Sequence, residues 1–180
     1  GPRHSRVMRV CTLNVHLWSD AAGRSNVDRV IDLLRRLDCD VVALQEVLRE
    51  GPMLARVASS LGLHHALGAE AWLGNALLAK RPLEAVEVAP LTVGYEEGRC
   101  ALIAAVRTEH GPLDVCALHL DPHYEDTRVR QLARFSEAIA RRAPAHLVLG
   151  DFNALRLSDD DAPITERPGS SVTPVTRAPR

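Results

Sequence analysis

Several apolar stretches of this chain end on a polar residue. RVCTLN closes on Asn14, VVALQE on Glu46, LDVCALH on His119, and HLVLGDFN on Asp151 and Asn153. An apolar run bounded by turn residues reads as a strand covered on both faces. Such strands demand layers above and below them. Each then delivers polar chemistry to one edge of a sheet, and if the strands share a sheet and a direction, the polar ends meet. Two carboxylates, two amides and an imidazole suit a hard metal ion and an oxyanion such as phosphate.

Between these runs the pattern alternates. Val27, Val30, Ile31, Leu34 and Leu37 recur at helical spacing and predict a helix over Asn26–Leu37, with Ser25 or Asn26 as cap. A second helix is expected from Pro52 to Leu61, with Pro near its first turn and Gly62 past its end. Between His64 and Thr108, short apolar runs separated by Gly, Pro and charged pairs predict antiparallel strands. His110-Gly111 marks a hairpin turn before Leu113–His119. Val129, Leu132, Ala133, Phe135 and Ile139 predict a third helix over Asp126–Arg142, and Ala145–Gly150 predicts the last strand. The class is α/β. One domain is expected over 7–158, followed by an irregular or disordered tail over 159–180, where Pro, Ser, Thr and Arg replace any periodic apolar face.

Only 3% of the residues are aromatic, so the core must be built from Val, Leu, Ile and Ala. A net charge of −1 argues against a binder whose affinity rests on many nucleic-acid phosphate contacts. Cys11, Cys39, Cys100 and Cys116 form no C-x-x-C pair and read as small core residues of a reducing compartment. The first residues lack an apolar signal-peptide core, and no apolar run is long enough to span a bilayer. An intracellular, cytoplasmic protein with no stable membrane insertion is expected.

The motifs, taken in order, resemble the endonuclease/exonuclease/phosphatase superfamily, the group of DNase I-like proteins. T-L-N-V at Thr12–Val15 resembles its first strand motif, and L-Q-E-V at Leu44–Val47 its metal-binding glutamate motif. G-N-A-L-L-A-K-R-P at Gly74–Pro82 and A-L-H-L at Ala117–Leu120 resemble its central strand and histidine motifs. R-V-R-Q at Arg128–Gln131 and G-D-F-N at Gly150–Asn153 resemble a helix start and the Asp/Asn motif. Each motif alone is weak; L-Q-E and G-D-F-N in this order carry the signal.

The resemblance implies an α/β/β/α sandwich and a divalent-metal-dependent phosphoesterase. Glu46 would bind Mg²⁺ or Mn²⁺. Asn14 would support the metal shell or the phosphate, and His119 would donate a hydrogen bond to a phosphate oxygen. Asp151 would orient or activate the attacking water, and Asn153 would hold that water or the phosphate. The partner implied is a phosphate-ester substrate, in a nucleic acid or a phospholipid headgroup. The family closes with an S-D-H motif after further strands and helices. Here Asp159-Asp160-Asp161 is the one acidic cluster after Asn153, and no His follows His146. That departure implies a sandwich whose second half is largely missing, weakened turnover, and self-association through an exposed sheet face. The alternative readings are a catalytically inactive truncated isoform or a binding module.

His119 and His123 have an H-x-x-x-H spacing, but Pro122 between them and the preceding strand deny both a shared helical face, so zinc is rejected. His64-His65 reads as solvated. Trp18, Trp72 and Tyr124 are each placed either to line a substrate cleft or to cover the core.

Overall fold

Residues Val41 to Leu44 turn alternately into two different cores, and that alternation sets the layers. Val41 and Ala43 face one apolar cluster, Val42 and Leu44 another, all at most 1% exposed. A strand with both faces covered cannot show the polar alternation of a surface strand, which is why this run is continuously apolar. The computed structural model describes residues 7–93, 98–142 and 144–154.

Two four-stranded sheets pack face to face. The first has the order β1-β2-β4-β3, from β1 (Val10–Asn14), β2 (Val41–Leu48), β3 (His64–Gly68) and β4 (Leu73–Ala79). The second has the order β5-β6-β7-β8, from β5 (Leu83–Pro90), β6 (Cys100–Thr108), β7 (Gly111–His119) and β8 (His146–Asp151). The β1/β2 and β7/β8 pairs are parallel, and the remaining pairs are antiparallel. The hairpin at His110-Gly111 joins β6 to β7 as expected.

Val41, Ala43, Leu77 and Ala79 of the first sheet interlock with Leu102, Ala104, Val106, Val115 and Ala117 of the second. Leu77 is fully buried there, so Leu77→Ala would cost about 2–5 kcal/mol. Helices α1 (Val27–Leu37) and α2 (Met53–Leu61) cover the outer face of the first sheet, through Val27, Val30, Ile31, Leu34, Leu54 and Val57. Helix α3 (Glu125–Ile139) covers the outer face of the second through Phe135 and Ala138. The result is the α/β/β/α sandwich.

Helix α1 ends at Asp38, which takes a left-handed conformation and donates its N–H to Leu34 O at 3.0 Å; α2 ends at Gly62 in the same conformation. Arg142 clamps the end of the α3 segment onto the second sheet. Its Nε and Nη2 donate to the two oxygens of buried Asp114 at 3.0 and 2.8 Å, and Nη1 donates to Glu87.

The first difference from the sequence reading concerns the sheets. The strands carrying Asn14 and Glu46 belong to one sheet, and those carrying His119 and Asp151 to the other. Their polar ends still converge, because the facing sheets place β1 against β8 and β2 against β7. His64 and His65 open β3 and are exposed, as expected. Among the described residues, no helix is long and apolar enough to cross a membrane. The expected tail at 159–180, including Asp159–Asp161, lies outside the described residues.

Candidate active site

Glu46 stands inside β2 rather than at its end, with a left-handed backbone at φ 56°, where the β2/β4 register shifts between Leu44 and Val47. This is a β-bulge, which costs local strain and re-aims a side chain. The consequence is legible in the hydrogen bonds. Asn14 pairs with Gln45 in the β1/β2 ladder, and Thr12 Oγ1 donates to Gln45 Oε1, so Gln45 faces the same side as Thr12 and Asn14. In a regular strand Glu46 would face the opposite side, towards α1 and α2. The bulge brings it back, and Asn14 Nδ2 donates to Glu46 Oε1 at 2.7 Å.

The same amide lies 3.4 Å from Asp151 Oδ2, across the gap between the sheets. Asn14 therefore bridges two carboxylates that would otherwise repel. Its Oδ1 accepts the backbone N–H of His16 at 2.9 Å, which fixes the amide's orientation. His16 Nδ1 lies 3.5 Å from Glu46 Oε2. His16, Leu17 and Trp18 are all left-handed, at φ 48°, 58° and 62°. Three such L-residues in succession are unfavourable and persist only where the surroundings enforce them. Asn26 does so: its Nδ2 donates to the carbonyls of Val15 and Ser19, and its backbone N–H to that of Trp18. Trp18 is buried in the first-sheet core, which decides its role in favour of covering the core.

On the opposing sheet, His119 and Asp151 are register partners in the parallel β7/β8 ladder. Gly150 permits that close pairing; a Cβ there would stand 2.2 Å from Leu118 O. His119 Nε2 is 3.9 Å from Asp151 Oδ2, too far for a direct hydrogen bond and suited to a group lying between them. Burial, and then the charge of Arg99, hold the His119 imidazole below its usual pKa, while Asp151 and Glu46 pull the other way. His119 is thus biased towards the neutral form at pH 7.

Asn153, left-handed at φ 49°, spends its amide on Leu120 O at 2.9 Å and its backbone N–H on Asp151 Oδ1 at 3.1 Å. Its backbone N–H thus positions Asp151, while the Leu120 bond uses one of the two Nδ2 hydrogens of a side chain that lines the cleft. The loop after His119 is held from α3. Gln131 Oε1 accepts the N–H of Asp121, and Arg128 Nη1 donates to Asp121 O, so the R-x-x-Q pair locks this loop. Asp121 was missed by sequence reasoning: it is buried, and its carboxylate accepts the backbone N–H groups of His123 and Tyr124. Its D-P-H-Y turn was the available signal. Gln45, also missed, is buried, and its Nε2 donor has no partner among the described residues; it lines a cleft with Asn14, Asp151 and Asn153.

The family model for the endonuclease/exonuclease/phosphatase family matches residues 12–179. The chain belongs to this family. Among solved structures, an endonuclease/exonuclease/phosphatase from Beutenbergia cavernae DSM 12333 is similar at 25% identity and a TM-score of 0.71. The match covers 81% of this chain and 47% of that one. The mannosyl-6-phosphatase of Bacteroides thetaiotaomicron VPI-5482 matches at 14% identity and a TM-score of 0.69, over 82% of this chain and 66% of that one. D. rerio TDP2, complexed with a single-strand DNA product, matches at 18% identity and a TM-score of 0.67, over 85% and 63%. The last two show the fold alone. This endonuclease/exonuclease/phosphatase chain spans about half to two thirds of the length of these structures. No match was found among curated proteins.

Among the described residues, no group of three or more His, Cys, Asp or Glu side chains is arranged to hold a metal by itself. What converges is an oxygen-rich set: the Glu46 and Asp151 carboxylates held on one amide.

Proposed function

We propose that this site hydrolyses phosphate esters with the help of Mg²⁺ or Mn²⁺. The carrying observation is the Glu46–Asn14–Asp151 bridge, which joins carboxylates from two different sheets beneath a histidine biased towards neutrality. The donor set fits a hard cation that keeps several of its own waters, since carboxylate oxygens are present and thiolates are absent from it. Glu46, supported by Asn14, would hold the ion; when bound, it supplies Lewis-acid stabilisation of charge on a phosphoryl oxygen.

The chain's own groups then divide the work. Asp151, fixed by the Asn153 N–H, takes a proton from the attacking water. The new bond joins the water oxygen to phosphorus, and the ester oxygen departs with its electron pair and takes a proton from solvent. His119 Nε2–H, neutral and buried, donates to a phosphoryl oxygen where negative charge accumulates. Gln45 Nε2 offers a further buried donor on the floor of the adjoining cleft. Asn153 positions Asp151 through its N–H, and its remaining amide hydrogen would hold the water or the phosphate.

Purified Asp151→Asn and His119→Ala, assayed on bis(4-nitrophenyl) phosphate and 4-nitrophenyl phosphate, test these roles. Each is expected to lose about 10²-fold or more in kcat. Wild-type rates from both variants would overturn the assignment.

A further inference from the structure

Two clefts open on either side of the reaction centre. One is lined by Asn14, Asp151 and Asn153; the other, of about 210 Å³, by Glu46 and His119 together with Trp72, Gly98 and Arg99. A phosphate held at the centre therefore has room for a substituent on each side. Trp72, 54% exposed, stands on the rim of the second cleft and gives it an aromatic wall beside Glu46 and His119. The Arg99 guanidinium forms no ion pair among the described residues, and it lies near enough to His119 to depress the protonation of that imidazole.

The walls are built to hold these two groups across the cleft. A Cβ at Gly98 would stand 2.8 Å from the Ala71 backbone nitrogen, so Gly98 lets the entry to β6 pack directly on the β3–β4 loop. Thr92 ties the same parts together: its hydroxyl donates to Glu70 at 2.9 Å and accepts the Arg99 N–H at 3.0 Å. Arg134 of α3 donates to the Thr92 carbonyl.

We infer that the Trp72–Arg99 cleft is a subsite for a flat ring carried next to the phosphate, the ring stacking on Trp72 and anionic oxygen meeting Arg99. The subsite selects phosphate esters of a nucleobase-bearing or aryl group over esters without a ring. Stacking on an aromatic face is tolerant of base identity, and Arg suits bidentate contact with phosphate. The placement of the phosphate rests on the function proposed above; the ring selectivity is read by binding alone.

Tryptophan fluorescence of the intact chain is titrated with AMP, phenyl phosphate and ribose 5-phosphate in Mg²⁺. The expected result is quenching by AMP that ribose 5-phosphate does not reproduce and that Trp72→Ala abolishes; Trp18, buried in the core, gives a constant background. Quenching by phenyl phosphate as well extends the subsite to aryl esters; its absence assigns the subsite to nucleobases. Arg99→Ala is expected to weaken AMP roughly tenfold or more, with partial recovery in Arg99→Lys. No quenching, equal quenching by ribose 5-phosphate, or quenching that survives Trp72→Ala overturns the inference. If ring-selective quenching occurs in protein that hydrolyses no phosphate ester, the subsite stands and the catalytic reading falls.

Discussion

Asn14 pairs with Gln45 in the strand ladder, yet its side chain donates to Glu46 at 2.7 Å. That contact exists because a bulge turns Glu46 to the inner side of the sheet. Removing the amide leaves two facing carboxylates without their common donor. Asn14→Ala is expected to lower metal affinity or kcat by about 10- to 100-fold, as loss of an outer support of a metal ligand does. Asn14→Asp places a third carboxylate in the bridge. Its melting temperature should fall in EDTA and recover as Mg²⁺ is added, because an ion bound by the folded state stabilises it by mass action. Thermal melts with and without Mg²⁺ check both variants.

The left-handed backbone at Glu46 carries a cost that glycine would relieve. Glu46→Gly also removes one of the two close carboxylates. The metal-free variant is expected to be at least as stable as wild type, by up to about 1 kcal/mol, and to have no turnover. Urea unfolding in EDTA is the check. A destabilised variant would mean that the bulge is not strained.

Much of this arrangement was legible in the residues. The apolar runs into Asn14, Glu46, His119 and Asp151 announced buried strands, and the helical spacing of Val27–Leu37 and Phe135–Ile139 announced the outer layers. Distribution over two sheets was not legible, since strands covered on both faces read alike whichever sheet they join. The bulge was also hidden. Glu46 looked like a strand end because its charge interrupts the apolar run, whereas β2 continues to Leu48. The left-handed turn at His16–Trp18 had no local cue, because His, Leu and Trp do not favour that conformation. Asn26, eight residues beyond Trp18, enforces it from a distance.

Arg142 and Asp114 form a two-point ion pair, with Asp114 almost wholly buried. Taking away one partner strands the other charge. Arg142→Met is expected to cost about 3–5 kcal/mol, and Asp114→Val with Arg142→Met to recover most of it. Denaturant titrations of the single and double variants measure the coupling. A single variant within about 1 kcal/mol of wild type would show that the pair is solvated.

His119 has its pKa lowered in the folded chain, chiefly by burial and then by Arg99. The unfolded chain therefore binds the proton more readily. The stability contributed by neutral His119 is full above its unfolded pKa, near 6.5, and is lost as pH falls through the folded value. In metal-free protein, NMR of the imidazole should show a midpoint below the usual histidine value of 6.5. Arg99→Ala should move the midpoint up. An unchanged midpoint in Arg99→Ala would remove the guanidinium as a cause.

Carboxylates from the two sheets are proposed to form a metal-dependent hydrolytic centre. Turnover of bis(4-nitrophenyl) phosphate by the purified chain, in Mg²⁺, in EDTA and with Glu46→Ala, tests it most directly. The expected result is hydrolysis in Mg²⁺, its loss in EDTA, its return on adding Mg²⁺, and no rate above background from folded Glu46→Ala. Hydrolysis that persists in EDTA or in Glu46→Ala, or no hydrolysis from folded wild-type protein, would contradict it.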